Sequence, residues 1–204
     1  MSALTRQERE RMALTEEIVA TSLALVRAEG AANLSLREVA KRIDYSSAAL
    51  YRYFPDKAAL VAELCQRGFA DLARRLRTVS TDRPPAERLL ATGLVYLRFA
   101  ADEPQLYTLM FVDVLPGEPS EPAPIEARHL LDDAAFGALY AVLADGAAAG
   151  AFRLAAEQLL PTALAHWALV HGYAMLRVRF PRAFDEAAVR LGLENFTRGI
   201  AARR

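Results

Sequence analysis

Three side chains with metal-binding chemistry stand close together in the second half of the chain. His129, Asp132 and Asp133 are three and four residues apart, the spacing that places side chains on one face of a helix. Imidazole and carboxylate groups are common ligands of divalent metals, but a complete site needs ligands from another segment, which the sequence does not indicate. A solvated helix face with a local ion pair is the simpler interpretation, and we predict no metal.

No familiar catalytic pattern accompanies this cluster. The sequence has no glycine-rich phosphate loop, no nucleophile elbow and no His-Glu-x-x-His zinc motif. The single cysteine, Cys65, excludes an internal disulfide and is typical of a buried thiol in a helix. We therefore predict no catalytic residues and no cofactor. An enzyme that used the His129 cluster is the weaker hypothesis, and tight metal uptake would reveal it.

A second group, around the only tryptophan, suits ligand binding. Trp167 and His171 are four residues apart on one helix face, and Gly172 would let another helix approach closely. One interpretation is a core tryptophan beside a core histidine with a satisfied hydrogen bond. The other is a pocket, because apolar pockets are lined by the same residue types as cores. The residues alone leave both interpretations open.

A third group lies in the segment 33–57, which predicts two short helices joined by a tight turn, a helix-turn-helix. Ser35 and Glu38 have the spacing of a capping box, in which each side chain satisfies a free amide donor at a helix start. An apolar face at helical spacing is formed by Leu36, Val39, Ala40 and Ile43. The first of the two helices should therefore begin at Ser35.

The turn and the second helix follow directly. Asp44 tolerates the left-handed backbone conformation of a turn, Ser46 or Ser47 can cap the next helix, and Pro55 limits its length. The inward face of this helix is predicted to carry Ala49, Leu50 and Phe54. The side chains left for outward contacts are Ser46, Ser47, Ala48, Tyr51, Arg52 and Tyr53.

This segment closely resembles the DNA-binding domain of the tetracycline-repressor-like (TetR) family of bacterial transcription regulators. The recognition helix of that family ends in Leu/Ile-Tyr-x-His/Tyr-Phe, and a turn and a helix-opening lysine follow. Residues 50–54, Leu-Tyr-Arg-Tyr-Phe, and Lys57 match this signature position by position. The sequence departs from the family at Asp44, Tyr45 and Ala48, where glycine, a smaller aliphatic residue, and glycine or proline are usual. These departures bear on which operator is read.

The resemblance implies a DNA-binding surface. Its candidate residues are Ser35, Arg37, Ser46, Ser47, Ala48, Tyr51, Arg52, Tyr53 and Lys57. Tyr51 and Lys57 match family positions and are expected at phosphates, which position a protein on DNA without specifying sequence. The side chains that could reach base edges are Ser46, Ser47, Ala48 and Arg52.

The group around Trp167 resembles the C-terminal domain type of the same family that is named for its tryptophan, histidine and glycine. We predict an apolar ligand pocket in that part of the chain, lined by Tyr96, Phe99, Tyr107, Met110, Phe136, Tyr140, Trp167, His171 and Met175. No acidic or basic cluster accompanies these residues. The ligand should therefore be neutral or weakly charged, with His171 as a hydrogen-bonding group.

Composition narrows the class of protein. The 204 residues are 53% hydrophobic, which suffices for a sizeable core in one large or two small domains. No segment approaches the ~20 apolar residues of a membrane span, and no signal-peptide run is seen at the N-terminus, so we expect a cytoplasmic protein without a membrane partner. The chain has 25 basic and 25 acidic residues, and residues 1–57 have nine and eight, a difference of +1. DNA affinity must therefore come from the placement of charges.

Hydrophobic periodicity predicts helices throughout. No segment alternates with period two over a useful length, so the expected fold class is all-α. Outside the helix-turn-helix, helices are expected over residues 15–29, 57–78, 85–102, from 104, and over 125–149, 156–180 and 184–202, with a proline-rich loop at 115–124. Residues 1–13 carry Arg6, Arg9 and Arg11, and are expected to be a solvated tail; the alternative is an arm that reaches DNA.

These observations combine into one functional hypothesis. Residues 1–57 should form a three-helix, helix-turn-helix DNA-binding domain, and residues 58–204 a larger helical domain for ligand binding and dimerisation. The protein would be a repressor that binds a palindromic operator in double-stranded DNA as a homodimer and is released by a small, largely apolar effector. The alternative is a helical small-molecule-binding or interaction protein without sequence-specific DNA binding. Apolar residues available for a homodimer interface on the last two helices are Leu159, Leu160, Leu164, Leu169, Val178, Phe180, Val189, Leu191, Leu193, Phe196 and Ile200.

Overall fold

The computed structural model describes residues 5–111, 131, 133–180 and 185–202. The helices of these residues are α1 (Arg6–Glu29), α2 (Leu36–Arg42), α3 (Ser47–Leu50), α4 (Lys57–Leu76), α5 (Pro85–Asp102), α6 (Pro104–Phe111), α7 (Ala134–Ala148), α8 (Ala156–Arg179) and α9 (Glu186–Ile200), with a 3-10 helix at Ala31–Asn33. The described residues include no strand, and one isolated antiparallel bridge pairs Phe152 with Ala201. The all-α prediction is confirmed.

The described residues fall into two compact units. The first contains residues 5–68 and 103–111, and the second contains the remainder, from residue 69 to 102 and from residue 131 onwards. Helix α4 supplies residues to both units. The division into domains at residues 57 and 58 stays a prediction. In the described part of the chain, no helix combines the length and apolar character needed to cross a bilayer.

Helix α1 begins much earlier than the periodicity predicted. The Thr5 hydroxyl accepts from the Glu8 N–H at 3.2 Å, and the Glu8 carboxylate accepts from the Thr5 N–H at 2.7 Å, which completes a capping box. Residues 6–13 are therefore helical, and the expectation of a tail there is wrong. The helix ends as predicted at Gly30, whose φ of +79° is one that glycine adopts at little steric cost.

The helix-turn-helix forms where it was predicted, with two differences. Ser35 caps α2 by accepting from the Glu38 N–H at 3.1 Å, but the Glu38 carboxylate accepts from Arg42, so only the serine half of the capping box exists. Asp44 has the predicted left-handed conformation, at φ +57°. Ser46 caps α3, which ends at Leu50; residues 51–54 continue as hydrogen-bonded turns, so the second helix is shorter than predicted.

Buried apolar side chains hold the helix-turn-helix against the rest of the first unit. Leu50 is fully buried and Phe54 nearly so, as predicted, whereas Ala49 is only half-buried. The buried apolar residues of α1 and α2 in the same unit are Ile18, Val19, Leu25, Val26, Leu36, Val39 and Ala40.

Helix α6 packs against α1 and the 3-10 helix, and Glu103 pairs with Arg27 at 2.8 Å. Cys65, expected to be buried, is half-buried and lies 3.8 Å from the Leu109 carbonyl oxygen.

In the second unit α5 packs against α7, α8 and α9. Helix α7 starts at Ala134 because Asp133 caps it, its carboxylate accepting from the N–H groups of Ala135 and Phe136. The prediction that one helix continues through residue 133 is therefore wrong, because Asp133 has an extended backbone as the N-cap of α7. Residues 125–130, the loop at 115–124, and the side chains of His129 and Asp132 lie outside the described residues. One core cluster of the second unit consists of Leu89, Phe136, Leu139, Val142, Leu143, Phe152 and Ala163.

Candidate functional sites

The outward side of the helix-turn-helix presents polar and aromatic side chains. Of the nine residues predicted to bind DNA, those that are exposed are Ser35, Arg37, Ser46, Ala48, Tyr51 and Arg52, and those that are half-buried are Ser47, Tyr53 and Lys57. Tyr51 is 54% exposed and Tyr45, in the turn, is 45% exposed. Two large aromatic side chains left in water beside the turn are well suited to contact a partner. All nine lie in the first unit.

Ion pairs within the first unit neutralise some of its charged side chains and leave others available. Glu29 and Glu38 both accept from Arg42, Glu16 and Glu63 pair with Arg67, and Glu10 pairs with Arg6. The basic side chains for which the described part of this unit shows neither an ion pair nor a hydrogen bond are Arg11, Arg37, Lys41 and Arg52. Because these cations belong to α1, α2 and the segment after α3, a nearly neutral unit still offers positive charge around the helix-turn-helix.

Lys57 opens α4 as predicted, and its side chain has a partner within the protein. Its ammonium donates to the carbonyl oxygen of Ala31 at 3.1 Å, which ties the start of α4 to the 3-10 helix. Asp56 caps the same helix by accepting from the Ala59 N–H at 2.7 Å. An ammonium group has three donors, so one bond to Ala31 is compatible with a second to a phosphate.

An aromatic and polar cluster lies in the second unit, and four of the predicted pocket residues form it. The Tyr96 hydroxyl and His171 Nδ1 are 3.1 Å apart, a hydrogen bond between α5 and α8. The rings of Trp167 and His171 are tilted by 43° with centroids 5.6 Å apart, and Phe136 meets Trp167 edge-on at 6.1 Å. Partial burial lowers the pKa of His171, which favours the neutral imidazole. Neutral imidazole has one donor and one acceptor, the chemistry expected of a group that orients a neutral ligand.

The other predicted pocket residues are distributed differently. Tyr140 packs against the core cluster that contains Leu89 and Leu143. Phe99 is fully buried, and the Arg75 guanidinium lies 5.2 Å from its ring centroid. Met175 is half-buried on α8. Tyr107 and Met110 belong to the first unit, where Tyr107 is fully buried with its ring 4.8 Å from that of Phe111. That all nine residues line one pocket stays a prediction.

Within the described part of this chain, no helix makes the close approach predicted at Gly172. A side chain built there would meet no described atom within 4 Å. Close approaches occur instead at Gly93 of α5, where a Cβ would lie 3.0 Å from Leu193, and at Gly192 of α9, which the Tyr173 ring covers. The glycine in the sequence motif was visible, but which helix face it occupies depends on how the bundle packs.

His166 was missed by the sequence reasoning. It is 1% exposed, its ring meets Phe196 edge-on at 5.3 Å, and neither ring nitrogen has a hydrogen-bond partner among the described residues. The signal was available, since Ala163, His166, Val170 and Ala174 recur at helical spacing and are the buried positions of α8. Burial lowers the pKa of His166 to about 4.

This buried histidine should make stability depend on pH. The unfolded chain binds a proton at His166 below its ordinary pKa of 6.5, whereas the folded chain does so only below about 4. Stability is therefore full above pH 6.5 and is lost as the pH falls toward 4. From about pH 7.5 to about pH 5 we expect this group to lower the free energy of unfolding by about 2 kcal/mol.

Urea denaturation of wild type, His166→Gln and His166→Leu at both pH values checks this expectation. The glutamine variant keeps a buried polar group that does not titrate. The difference in free energy of unfolding between it and wild type should therefore change by about 2 kcal/mol between the two pH values. The leucine variant should be more stable than wild type by ~1–3 kcal/mol at pH 7.5, because it removes two unpaired buried nitrogens. At pH 5 its advantage should be larger by about 2 kcal/mol, because leucine does not titrate. A difference between wild type and His166→Gln that is the same at both pH values would contradict the assignment.

Two family models match separate parts of this chain. A family model described as the tetracyclin repressor-like C-terminal domain matches residues 89–195, and one described as bacterial regulatory proteins of the tetR family matches residues 18–64. The uncharacterized HTH-type transcriptional regulator Mb0790c of Mycobacterium bovis is 30% identical over 105 residues, which are 51% of this chain and 47% of that protein. The chain thus spans about half the length of the curated relatives it matches.

Solved structures agree in fold. A protein of unknown function from Rhodococcus sp. RHA1 superposes with a TM-score of 0.76 at 24% identity, covering 93% of this chain and 96% of that chain. A bacterial regulatory protein of the tetR family from Rhodococcus RHA1 has a TM-score of 0.64 at 19% identity, covering 93% and 98%. The first family model alone covers just over half of the chain, and the second covers the helix-turn-helix. The resemblance inferred from the residues is confirmed, and the chain belongs to the TetR family of bacterial transcription regulators.

Proposed function

We propose that this chain is a repressor that binds a palindromic operator as a homodimer in the cytoplasm and releases it when a small, largely apolar ligand binds the second unit. The observation that carries the DNA-binding part is the helix-turn-helix itself, buried on one side through Leu50 and Phe54 and exposed on the other at Tyr51 and Arg52. Family membership supports a regulator over an enzyme.

Placement of charge supports DNA binding despite the neutral composition. Arg37 and Lys41 on α2 and Arg52 after α3 are exposed, whereas the carboxylates of Glu29 and Glu38 are engaged by Arg42. Cations placed in this way can meet phosphates, while Ser46 and Ala48 lie exposed where a helix-turn-helix presents side chains to base edges. The affinity should accordingly depend strongly on salt.

Apolar surface on the last two helices supports a homodimer. Leu176, Phe180 and Leu191 are exposed on or directly after α8 and on α9. A groove of about 340 Å³ in the same unit is lined in part by Pro161, Ala165, Phe196 and Ile200. Two of the residues first proposed for the interface, Val189 and Leu193, are buried within the unit and are removed from that set. A second copy would also supply the second recognition element that a palindrome requires, ~34 Å from the first.

Ligand binding is supported by the cluster of Tyr96, Phe136, Trp167 and His171. It combines large apolar rings with the hydrogen-bonded pair of Tyr96 and His171, the composition of a site that holds a largely apolar molecule and orients it. A ligand that binds one dimer geometry better than another would shift the population away from the form that fits two successive major grooves.

Selection from a pool of random duplexes of about 30 base pairs tests the DNA-binding proposal. We expect enrichment of a palindrome, and tighter binding to that duplex than to a scrambled duplex of equal composition by a factor of ~10³ or more. The alternative, a helical small-molecule-binding protein without sequence-specific DNA binding, predicts no enrichment and equal affinities. Equal affinities over a range of salt concentrations would overturn the proposed function.

A further inference from the structure

A cleft of about 510 Å³ in the first unit lies between α1 and the turns around α3. One wall is a single face of α1, at the helical spacing of Gln7, Glu10, Arg11 and Leu14. The facing wall consists of Tyr45, Arg52 and Tyr53. The cleft therefore joins the start of α1, expected from sequence to be a tail, to residues assigned to the recognition surface.

The charges in this cleft favour an anion. Arg11 and Arg52 are both exposed, and the described part of the chain provides neither of them with an ion pair or a side-chain hydrogen bond. The one carboxylate in the lining, Glu10, already accepts from Arg6 at 2.7 Å. A guanidinium group binds a phosphate through two parallel hydrogen bonds, and Gln7 and the tyrosine hydroxyls add neutral donors.

We propose that Arg11 and Arg52 hold one DNA backbone phosphate between them in this cleft. The inference rests on the proposed DNA-binding function and deepens it. It adds Gln7 and Arg11 of α1 to the DNA-contacting residues. It also moves Arg52 from reading bases to positioning the protein, because a side chain that lines a cleft shared with α1 is committed to the backbone at the edge of the recognition segment.

The cleft volume and its neighbours select a DNA phosphate over a small free anion. About 510 Å³ is ample for a phosphodiester group, and Leu14 is the one aliphatic side chain in the lining. Tyr45 and Tyr53, which flank the recognition helix on both sides in sequence, form part of the same wall. A duplex that docks on the exposed residues of α3 would bring its backbone beside them.

The test uses the full-length protein, the tightest duplex from the selection, and a scrambled duplex. Arg11→Ala and Arg52→Ala should each weaken binding about tenfold, and each loss should be the same for the two duplexes. Each variant should also reduce, by about 1, the magnitude of the slope of the logarithm of the association constant against the logarithm of the salt concentration. The double variant should lose much less than the product of the two single losses, because both groups serve one phosphate. Glu10→Gln should tighten binding to both duplexes.

Arg98→Ala is the matched control, since Arg98 is an exposed arginine of α5 in the second unit and its removal changes net charge equally. A methylphosphonate scan of the duplex gives an independent readout. One substituted position should weaken wild-type binding and have no further effect on Arg11→Ala. If Arg11→Ala binds DNA as tightly as Arg98→Ala does, the shared phosphate contact is overturned while the proposed function stays intact. The same holds if Arg52→Ala weakens binding to the selected duplex alone. Failure of wild type to prefer any duplex would overturn both.

Discussion

Replacing Phe180 and Leu191 by glutamate is expected to turn the protein into a monomer and to reduce its affinity for the selected palindrome by about 10²–10⁴-fold. Both side chains are about half exposed, at 51% and 54%, on the surface that we assign to the homodimer. Each substitution occurs twice in a two-fold symmetric interface, so the cost of burying the charge is incurred twice. Loss of the dimer removes the gain from binding two half-sites at once.

Mass measurement at micromolar protein and anisotropy titration check the two parts of this result. Leu131→Glu is the matched control, because Leu131 is an exposed leucine of the second unit outside α8 and α9. It should leave both mass and affinity unchanged. If the double glutamate variant remains a dimer, the interface lies elsewhere; if it is a monomer that binds the palindrome as tightly as wild type, dimerisation has no part in DNA binding.

Replacing His171 by alanine is expected to raise the effector concentration needed for release from the operator by about 5- to 150-fold, while leaving the fold and the DNA affinity intact. The His171 imidazole is the polar group that meets Tyr96, Trp167 and, in our proposal, the ligand. Its removal leaves a ligand polar group unpaired in an apolar surrounding, which costs ~1–3 kcal/mol in binding, or about 5- to 150-fold. Tyr96→Phe should weaken the response less, since it removes only the hydrogen bond that orients the imidazole.

A library of small apolar compounds, screened for release of the fluorescent duplex from wild type, supplies the probes for this measurement. His166→Gln is the matched control, because His166 is on the same helix but packs against Phe196 and Gly93. It should respond to each active compound as wild type does. An unaltered response in His171→Ala would show that the cluster is core. In that case Trp167→Ala should cost ~3–5 kcal/mol of stability and have no separate effect on binding.

Local features were predictable because their causes lie within a few residues. The Ser46 cap, the left-handed Asp44 and the inward Leu50 and Phe54 each follow from side-chain chemistry and helical spacing, and each is present. The spacing of Thr5 and Glu8 also predicts a capping box, and because it was not used, the predicted start of α1 was too late. Family membership followed from the same short-range pattern around residues 50–57.

What the sequence determined by itself is therefore the fold class, the helix-turn-helix and the family. Only the tertiary structure decided which charges are neutralised, because the Arg67–Glu16 and Arg27–Glu103 pairs join residues far apart in the chain. The tertiary structure also decided that Arg11 shares a cleft with Arg52 and that Gly172 has no neighbour within 4 Å among the described residues. It likewise decided that the buried His166 has no hydrogen-bond partner in the described part of the chain. A helical pattern states which residues share a face, but the partner of that face depends on how the helices pack.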